Sequence, residues 1–440
     1  MVDPIHAQRR AALLAEMGQG VLVLFAASAA IRNNDVEHEY RQDSDFYYLT
    51  GFDEPESVLV LSTIHEQKFV LFVRPRDPER ETWDGARVGV DGAVSELGAT
   101  VAFSISELDE KLPDWLENAE RLFYRIGRDR GQDDRVLRAV DRTRPRARRG
   151  SSFPTQIIDP ATVLHEMRRR KTAPEIELMT RAVDITGEAH VAAMAAARPG
   201  MYEYEIEALL RNVFRKHGSE RPAYAPIVGS GPNATVLHYH KNNRRMEAGD
   251  LLLIDAGTEF DYYAADVTRT FPVSGKFTPP QRAIYELVLA AQDASMAATR
   301  PGATVDEVHM ASVRVLAEGM VSLGLIEGPV EDAIKEERYK RYYMHRTSHY
   351  LGMDVHDVGR YFEQGKPRPL EPGVVITVEP GLYVPAHDDK APEQYRGIGV
   401  RIEDDVLVTP DGHDVLSAAI PRRTADVERA CSAETRGNPR

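Results

Sequence analysis

Residues 251–257 read Leu-Leu-Leu-Ile-Asp-Ala-Gly, four large apolar side chains that deliver a carboxylate at Asp255 and stop at Gly257. Such a run, bounded by a glycine, is the pattern of a buried strand. A lone carboxylate there is costly, because desolvating an unpaired charge costs several kcal/mol. Asp255 therefore needs a partner. The next strand-like run, 263–273, alternates so that Asp266 shares a face with Ala264, Thr268 and Thr270. The intervening 258–262 suits a hairpin, which predicts the two aspartates close together across an antiparallel pair.

Two more carboxylates follow the same logic downstream. The run 374–381 (VVITVEPG) delivers Glu379 and is stopped by Pro-Gly, and 399–408 (GVRIEDDVLV) alternates. Val400 and Ile402 face one side of that second run, and Arg401 and Glu403 the other, so Arg401 stands beside Glu403. Between the acidic pairs lies 344–349 (MHRTSH), with His345 and His349, continuing to His356. Taken singly, an aspartate at a strand end is usually a cap or an ion-pair partner, and a histidine among aromatics is usually a core residue. Jointly, four carboxylates carry a charge that two divalent cations would balance. Mostly oxygen donors with one imidazole favour Mn²⁺ or a similar borderline ion over a thiolate-type zinc site.

The whole chain has 440 residues, 42% hydrophobic and 28% charged, with a formal charge of −14. Those values describe a soluble globular protein of two or three domains, and the acidic balance argues against bulk nucleic-acid binding. The single cysteine, Cys431, excludes an intrachain disulfide and a cysteine-based metal site, and fits a reducing cytosol. No apolar run approaches the roughly 18–20 residues of a membrane span. Residues 20–30 (GVLVLFAASAA), preceded by Arg9 and Arg10, have two readings: a buried strand, or the apolar part of a signal peptide. Glu16 and the glycines at 18 and 20 favour the strand.

Over the first 160 residues, short apolar runs at 21–25, 58–61, 69–73 and 122–126 alternate with helical segments such as 105–116, a mixed α/β pattern. A boundary follows near 141–160, where Arg142, Arg144, Arg146, Arg148 and Arg149 surround Pro145. These arginines read as a solvated linker; a nucleic-acid patch is the alternative, opposed by the acidic whole. Beyond it, helices open near Pro174, Glu203, Thr278 and the capping box Thr304-x-x-Glu307. Residues 192–200 (AAMAAARPG) and 294–302 (ASMAATRPG) agree at seven of nine positions, 102 residues apart, and an amphipathic helix follows each. Either helix-ending grammar coincides, or 165–420 is two similar halves in tandem with one site at their seam. The expected fold is α/β (α+β), an N-terminal mixed α/β domain over 1–160 and a duplicated domain over 161–440. The polar tail after about 422 reads as helical, then disordered.

At these residues a resemblance becomes plain. LLLIDAG, ADVTRTFPV, SHYLGMDVHDVG, VITVEPGLY and GVRIEDDVLV carry Asp255, Asp266, His349, Glu379 and Glu403 in the order of the Asp-Asp-His-Glu-Glu set of the pita-bread metallopeptidases. The chain is similar to the bacterial aminopeptidase P (Xaa-Pro aminopeptidase) family over nearly its whole length. EYRQDSDFYYLTGFDEPE at 39–56 resembles that family's N-terminal domain, and NATVLHYH and EQYRGIGVRIEDD resemble its catalytic domain. The resemblance implies a cytoplasmic metallo-exopeptidase that removes the residue preceding a proline through a hydroxide held by two metal ions. Those ions are implied to be Mn²⁺, with Zn²⁺ or Co²⁺ as alternatives.

In that family Asp266 and Glu403 would bridge the two ions, Asp255 would hold one, and His349 and Glu379 the other. Glu379 would also shuttle the proton, and His238 and His356 would hydrogen-bond substrate and intermediate. His345, Tyr383 and Arg401 would line the proline side. Trp83 matches a tryptophan that reaches a neighbouring subunit's site in tetrameric relatives, which implies a homo-oligomer, dimer or tetramer. The implied partners are peptides with proline second, with no nucleic acid and no membrane. The family's N-terminal domain also contributes an arginine near its end; the segment around 148–153 is shortened here and no arginine is assigned to that role. The rivals are an Xaa-Pro dipeptidase on the same fold, a methionine aminopeptidase, opposed by the 160 extra N-terminal residues, and a metal-free binding module, opposed by five filled ligand positions.

Overall fold

The first strand of the chain, Val21–Phe25, lies inside a six-stranded sheet because both of its faces are apolar and both must be covered. In the computed structural model, which describes residues 4–432, the chain forms two units, Met1–Met167 and Arg168–Arg440. In the first unit the sheet runs Val101–Ser104, Phe69–Val73, Val58–Ser62, Val21–Phe25, Arg121–Phe123, Gln156–Ile158. Val21–Phe25 pairs antiparallel with Val58–Ser62 and parallel with Arg121–Phe123. Of the two readings of residues 20–30, the structure takes the buried strand. The helix before it, Pro4–Met17, stops where Gly18 takes a left-handed φ of 62°. The strand expected over 122–126 is shorter: it ends at Phe123, and Ile126 is exposed, so its apolar side chain does not continue the sheet.

The second unit shows why residues 192–200 and 294–302 match. Helix Ala173–Ala196 is followed by helix Glu203–Lys216, and helix Pro279–Ala298 by helix Val305–Ser322, so both ends and starts recur 102 residues apart. Gly200 and Gly302 take φ of 95° and 85° at the two turns, a backbone shape that favours glycine. Each helix pair is followed by a three-stranded antiparallel sheet: Ile227–Ser230, Leu251–Asp255, Thr268–Pro272 in the first half, and Val375–Val378, Asp404–Thr409, Gly412–Val415 in the second. Leu252, Ile254, Phe271, Val400 and Ile402 face the helices in one apolar core.

The expected hairpin over 251–273 is corrected in detail. Leu251–Asp255 does pair antiparallel with Thr268–Pro272, Asp255 opposite Thr268. Asp266, however, lies in neither strand: 263–273 is broken into Tyr263–Ala264 and Thr268–Pro272, and the first piece pairs instead with Thr258–Phe260. The run 399–408 is likewise broken at Ile402 and Glu403, between Ile398–Arg401 and Asp404–Thr409. Of the tail, Thr424–Ala430 is a helix, and the disorder expected for its end falls on 433–440, outside the described residues. No helix among the described residues is long and apolar enough to cross a membrane.

Candidate metal centre

Both ladder interruptions fall where a carboxylate is needed off the sheet. The register that pairs Val378 with Asp404 and Gly381 with Arg401 places Glu379 across from Glu403 at the break. In the first half, Ala256 N–H still donates to the Val267 carbonyl, and beyond it Gly257 meets the chain leading into Asp266. A Cβ at Gly257 would sit 1.7 Å from the Ala265 carbonyl oxygen, so only glycine lets the two aspartate segments approach. Thr347–Tyr350 runs beside Val375–Val378: the Glu379 N–H donates to the Thr347 carbonyl and the Thr377 N–H to the His349 carbonyl. The four carboxylates are thus delivered at the ends of strand pairs, one acidic pair from each half, and His349 comes from the segment alongside.

Ligand-type atoms of Asp266, His349 and Glu403 all lie within 4.8 Å of one another. His349 Nε2 stands 3.4 Å from Asp266 Oδ2 and 3.7 Å from Glu379 Oε1. Asp255 joins through a shared neighbour, because the Tyr224 hydroxyl contacts both Asp255 Oδ1 and Asp266 Oδ1. One O–H can donate only one hydrogen bond, so the other contact calls for a proton or a cation on the second carboxylate. Arg401 goes to Asp255 (Nη2 to Oδ2, 2.6 Å) rather than directly beside Glu403, as the alternation suggested. The two share Thr268, whose hydroxyl donates to Glu403 (2.6 Å) and accepts from Arg401 Nε (3.2 Å).

The electrostatics favour a cation. Burial pushes Glu379 up to about 7, against the pull of His349 and Arg401, and burial with the charge of Asp266 pushes Glu403 well above the carboxylate range. His349 also moves up, for the opposite reason: burial alone would lower it, but its hydrogen bond to Asp266 and the charges of Glu379 and Asp266 raise it to about 9. Its Nδ1–H donates to the Tyr350 carbonyl at 3.0 Å, which turns Nε2 toward the carboxylates. Without a metal ion a proton on Nε2 meets those oxygens; once that proton is lost, the lone pair is free for a cation shared with them. The donor set therefore fits divalent cations.

Around this centre a chain of hydrogen bonds runs from Arg401 Nη1 to the Tyr383 hydroxyl (2.9 Å) and from that hydroxyl to His345 Nε2 (2.8 Å). Burial and the nearby Arg401 lower His345 to about 3, which keeps its Nε2 an acceptor. The His345 ring stands 5.1 Å from that of Tyr343 and 5.6 Å from that of Tyr383, an aromatic wall. His356 meets the His349 ring edge to face at 4.5 Å, and burial lowers its pKa, helped by the charges of His349 and His238. His238 is exposed on the loop after Ile227–Ser230. Trp83 lies in the first unit, in helix Pro78–Asp84, and is 85% exposed.

Sequence reasoning missed Tyr224, Thr268 and Asp405. Asp405 accepts from the Asp266 N–H at 3.1 Å, and burial with the charge of Asp266 raises its own pKa well above the usual value. The run of three acids, Glu403-Asp404-Asp405, was a legible hint for it. Tyr224, between Arg221–Pro222 and Ile227–Ser230, has no local signal, because only the pairing of Ile227 with Asp255 brings it to the site.

The model of the metallopeptidase family M24 matches residues 177–410, and that of the aminopeptidase P N-terminal domain matches residues 6–124. The Xaa-Pro aminopeptidase of Escherichia coli strain K12 is 44% identical over 424 residues, covering 96% of this chain and 96% of its own. Pseudomonas aeruginosa aminopeptidase PepP superposes with a TM-score of 0.96 at 47% identity, over 98% of both chains. Escherichia coli aminopeptidase P in complex with substrate superposes with a TM-score of 0.95 at 42% identity, over the full length of both.

Proposed function

The chain belongs to metallopeptidase family M24, and on that premise we propose that it is a metal-dependent aminopeptidase that cleaves the Xaa-Pro bond and releases the N-terminal residue of peptides with proline second. The observation that carries the reading is the convergence of Asp255, Asp266, Glu379 and Glu403 at the ends of the two duplicated strand pairs, with His349 brought against them from the neighbouring segment. Four carboxylates and one imidazole suit two divalent ions, Mn²⁺ first and Zn²⁺ or Co²⁺ as alternatives. Asp266 and Glu403 would be shared between the ions, Asp255 would serve one, and His349 and Glu379 the other. Such ions supply Lewis acidity toward the scissile carbonyl and an activated water.

The chain's own groups do the rest. Glu379 takes a proton from the attacking water and returns it to the departing proline nitrogen. His238 and His356 hydrogen-bond the substrate and the oxygen on which negative charge develops. The proline ring sits against His345 and Tyr383, whose orientation Arg401 holds. That fit matters because the bond to proline is a tertiary amide with no N–H to grip, so shape must replace a hydrogen bond. In an assembled dimer or tetramer, the exposed Trp83 covers the site of a neighbouring copy. The deciding experiment combines elemental analysis with a peptide panel. Two ions per chain and cleavage of Xaa-Pro-Yaa tripeptides are expected; cleavage of Xaa-Pro dipeptides alone would make the protein a dipeptidase, and less than one ion per chain would make it a binding module.

A further inference from the structure

His238 stands on an exposed loop, a poor place from which to aim a side chain unless the loop is held. One buried group bonds it at several places. Glu203, the first residue of helix Glu203–Lys216, is completely buried, and its carboxylate accepts five hydrogen bonds, all from neutral groups of segment 230–244. Oε1 accepts from the Ser230 N–H (2.7 Å), the Ser230 hydroxyl (2.7 Å) and Asn233 Nδ2 (3.1 Å). Oε2 accepts from the Tyr239 hydroxyl (2.8 Å) and the Arg244 N–H (2.8 Å). The Glu203 N–H donates in turn to the Arg244 carbonyl. One carboxylate thus ties both ends of the loop and Tyr239, the immediate neighbour of His238.

The inner side of this loop meets the site. Leu237 and Tyr239 pack on Ala234, Leu253 and Tyr383. A Cβ at Gly399 would lie 2.1 Å from the Ala234 carbonyl oxygen, so the loop backbone rests directly on the strand that carries Arg401. A glutamine at 203 has nearly the same shape, but it would present an NH₂ group to one set of donors and lose those bonds. A full carboxylate is the only side chain of that size able to accept on both branches.

We propose that Glu203 is the positioning residue for His238, fixing through the 230–244 loop the direction in which that imidazole meets the substrate. This rests on the role given to His238 above. In the metal-loaded, full-length protein, Glu203→Gln should lower kcat for an Xaa-Pro-Yaa peptide by on the order of 10²-fold, the scale of a small misplacement of a reacting group, with metal content unchanged. His238→Ala should lower it at least as much, and the double variant no further than His238→Ala alone, because Glu203 acts through that side chain.

Losses that multiply in the double variant, or full activity in Glu203→Gln, would overturn the proposal while leaving the role of His238 intact. Full activity in His238→Ala would overturn both. Should Glu203→Gln fail to fold, Tyr239→Phe removes one donor from the loop side of the same network; a smaller loss that vanishes in the His238→Ala background supports the proposal, and no loss refutes it.

Discussion

Loading the acidic cluster with metal at pH 7 should expel protons, and the count follows residue by residue. In the metal-free protein His349, raised to about 9, carries close to one proton, and Glu379, at about 7, carries about half of one. Glu403, pushed well above the carboxylate range by burial and by Asp266, adds up to one more. Ligands bind deprotonated, so metal uptake should release about 1.5 to about 2.5 protons per chain. Metal affinity near pH 7 should then rise roughly 30- to 300-fold per pH unit, since each released proton contributes one decade. The assay is titration calorimetry of Mn²⁺ into chelator-stripped protein in buffers of different ionisation enthalpy, where the dependence of apparent enthalpy on the buffer gives the proton count. Glu403→Gln, which cannot carry the titrating proton, should release up to one fewer. A wild-type count near zero would refute the reasoning, because the cluster would then hold its full negative charge before any cation arrived.

Further outcomes follow from the same geometry. Without metal, the folded protein binds more protons than the unfolded chain between about pH 4.5 and 7 at Glu379 and between about 6.5 and 9 at His349. Its stability should therefore fall as pH rises through those windows, as denaturant titrations with chelator present would show. Asp266→Ala should abolish peptidase activity with the circular dichroism spectrum retained; substantial turnover by a metal-replete sample would dismiss the shared-ligand role. His356→Ala should lose most turnover while keeping its metal, and loss of metal instead would move His356 into the ligand set. Gly257→Ala forces a Cβ against the Ala265 carbonyl and should cost about 3 kcal/mol or more, with weakened metal binding, by chemical denaturation and metal titration.

The large elements were legible because their signals are local. Val21–Phe25 and Phe69–Val73 show as apolar runs, and the Pro and Thr residues opening the helices are caps set by the next few residues. The duplication showed for the same reason, since a helix ending in Arg-Pro-Gly repeats its own grammar 102 residues later. The strand breaks at Asp266 and Glu403 were not legible. Alternation reads as one uninterrupted strand whether or not the ladder pauses, and the pauses arise where a carboxylate has to leave the sheet to meet groups from the other half.

By itself the sequence determined which side chains are expensive to bury. Asp255 and Glu379 end apolar runs and Asp266 and Glu403 sit within alternating ones, and that mismatch with their surroundings is written in residue order alone. Only the tertiary structure decided what they meet. Arg401 reaches Asp255, 146 positions away in sequence, rather than Glu403 beside it, and Tyr224 enters the site, and Glu203 the loop that carries His238, without any local sign of those partners. Burial cost is a property of one residue and its neighbours in sequence, whereas partnership depends on which distant strands pair and in which register.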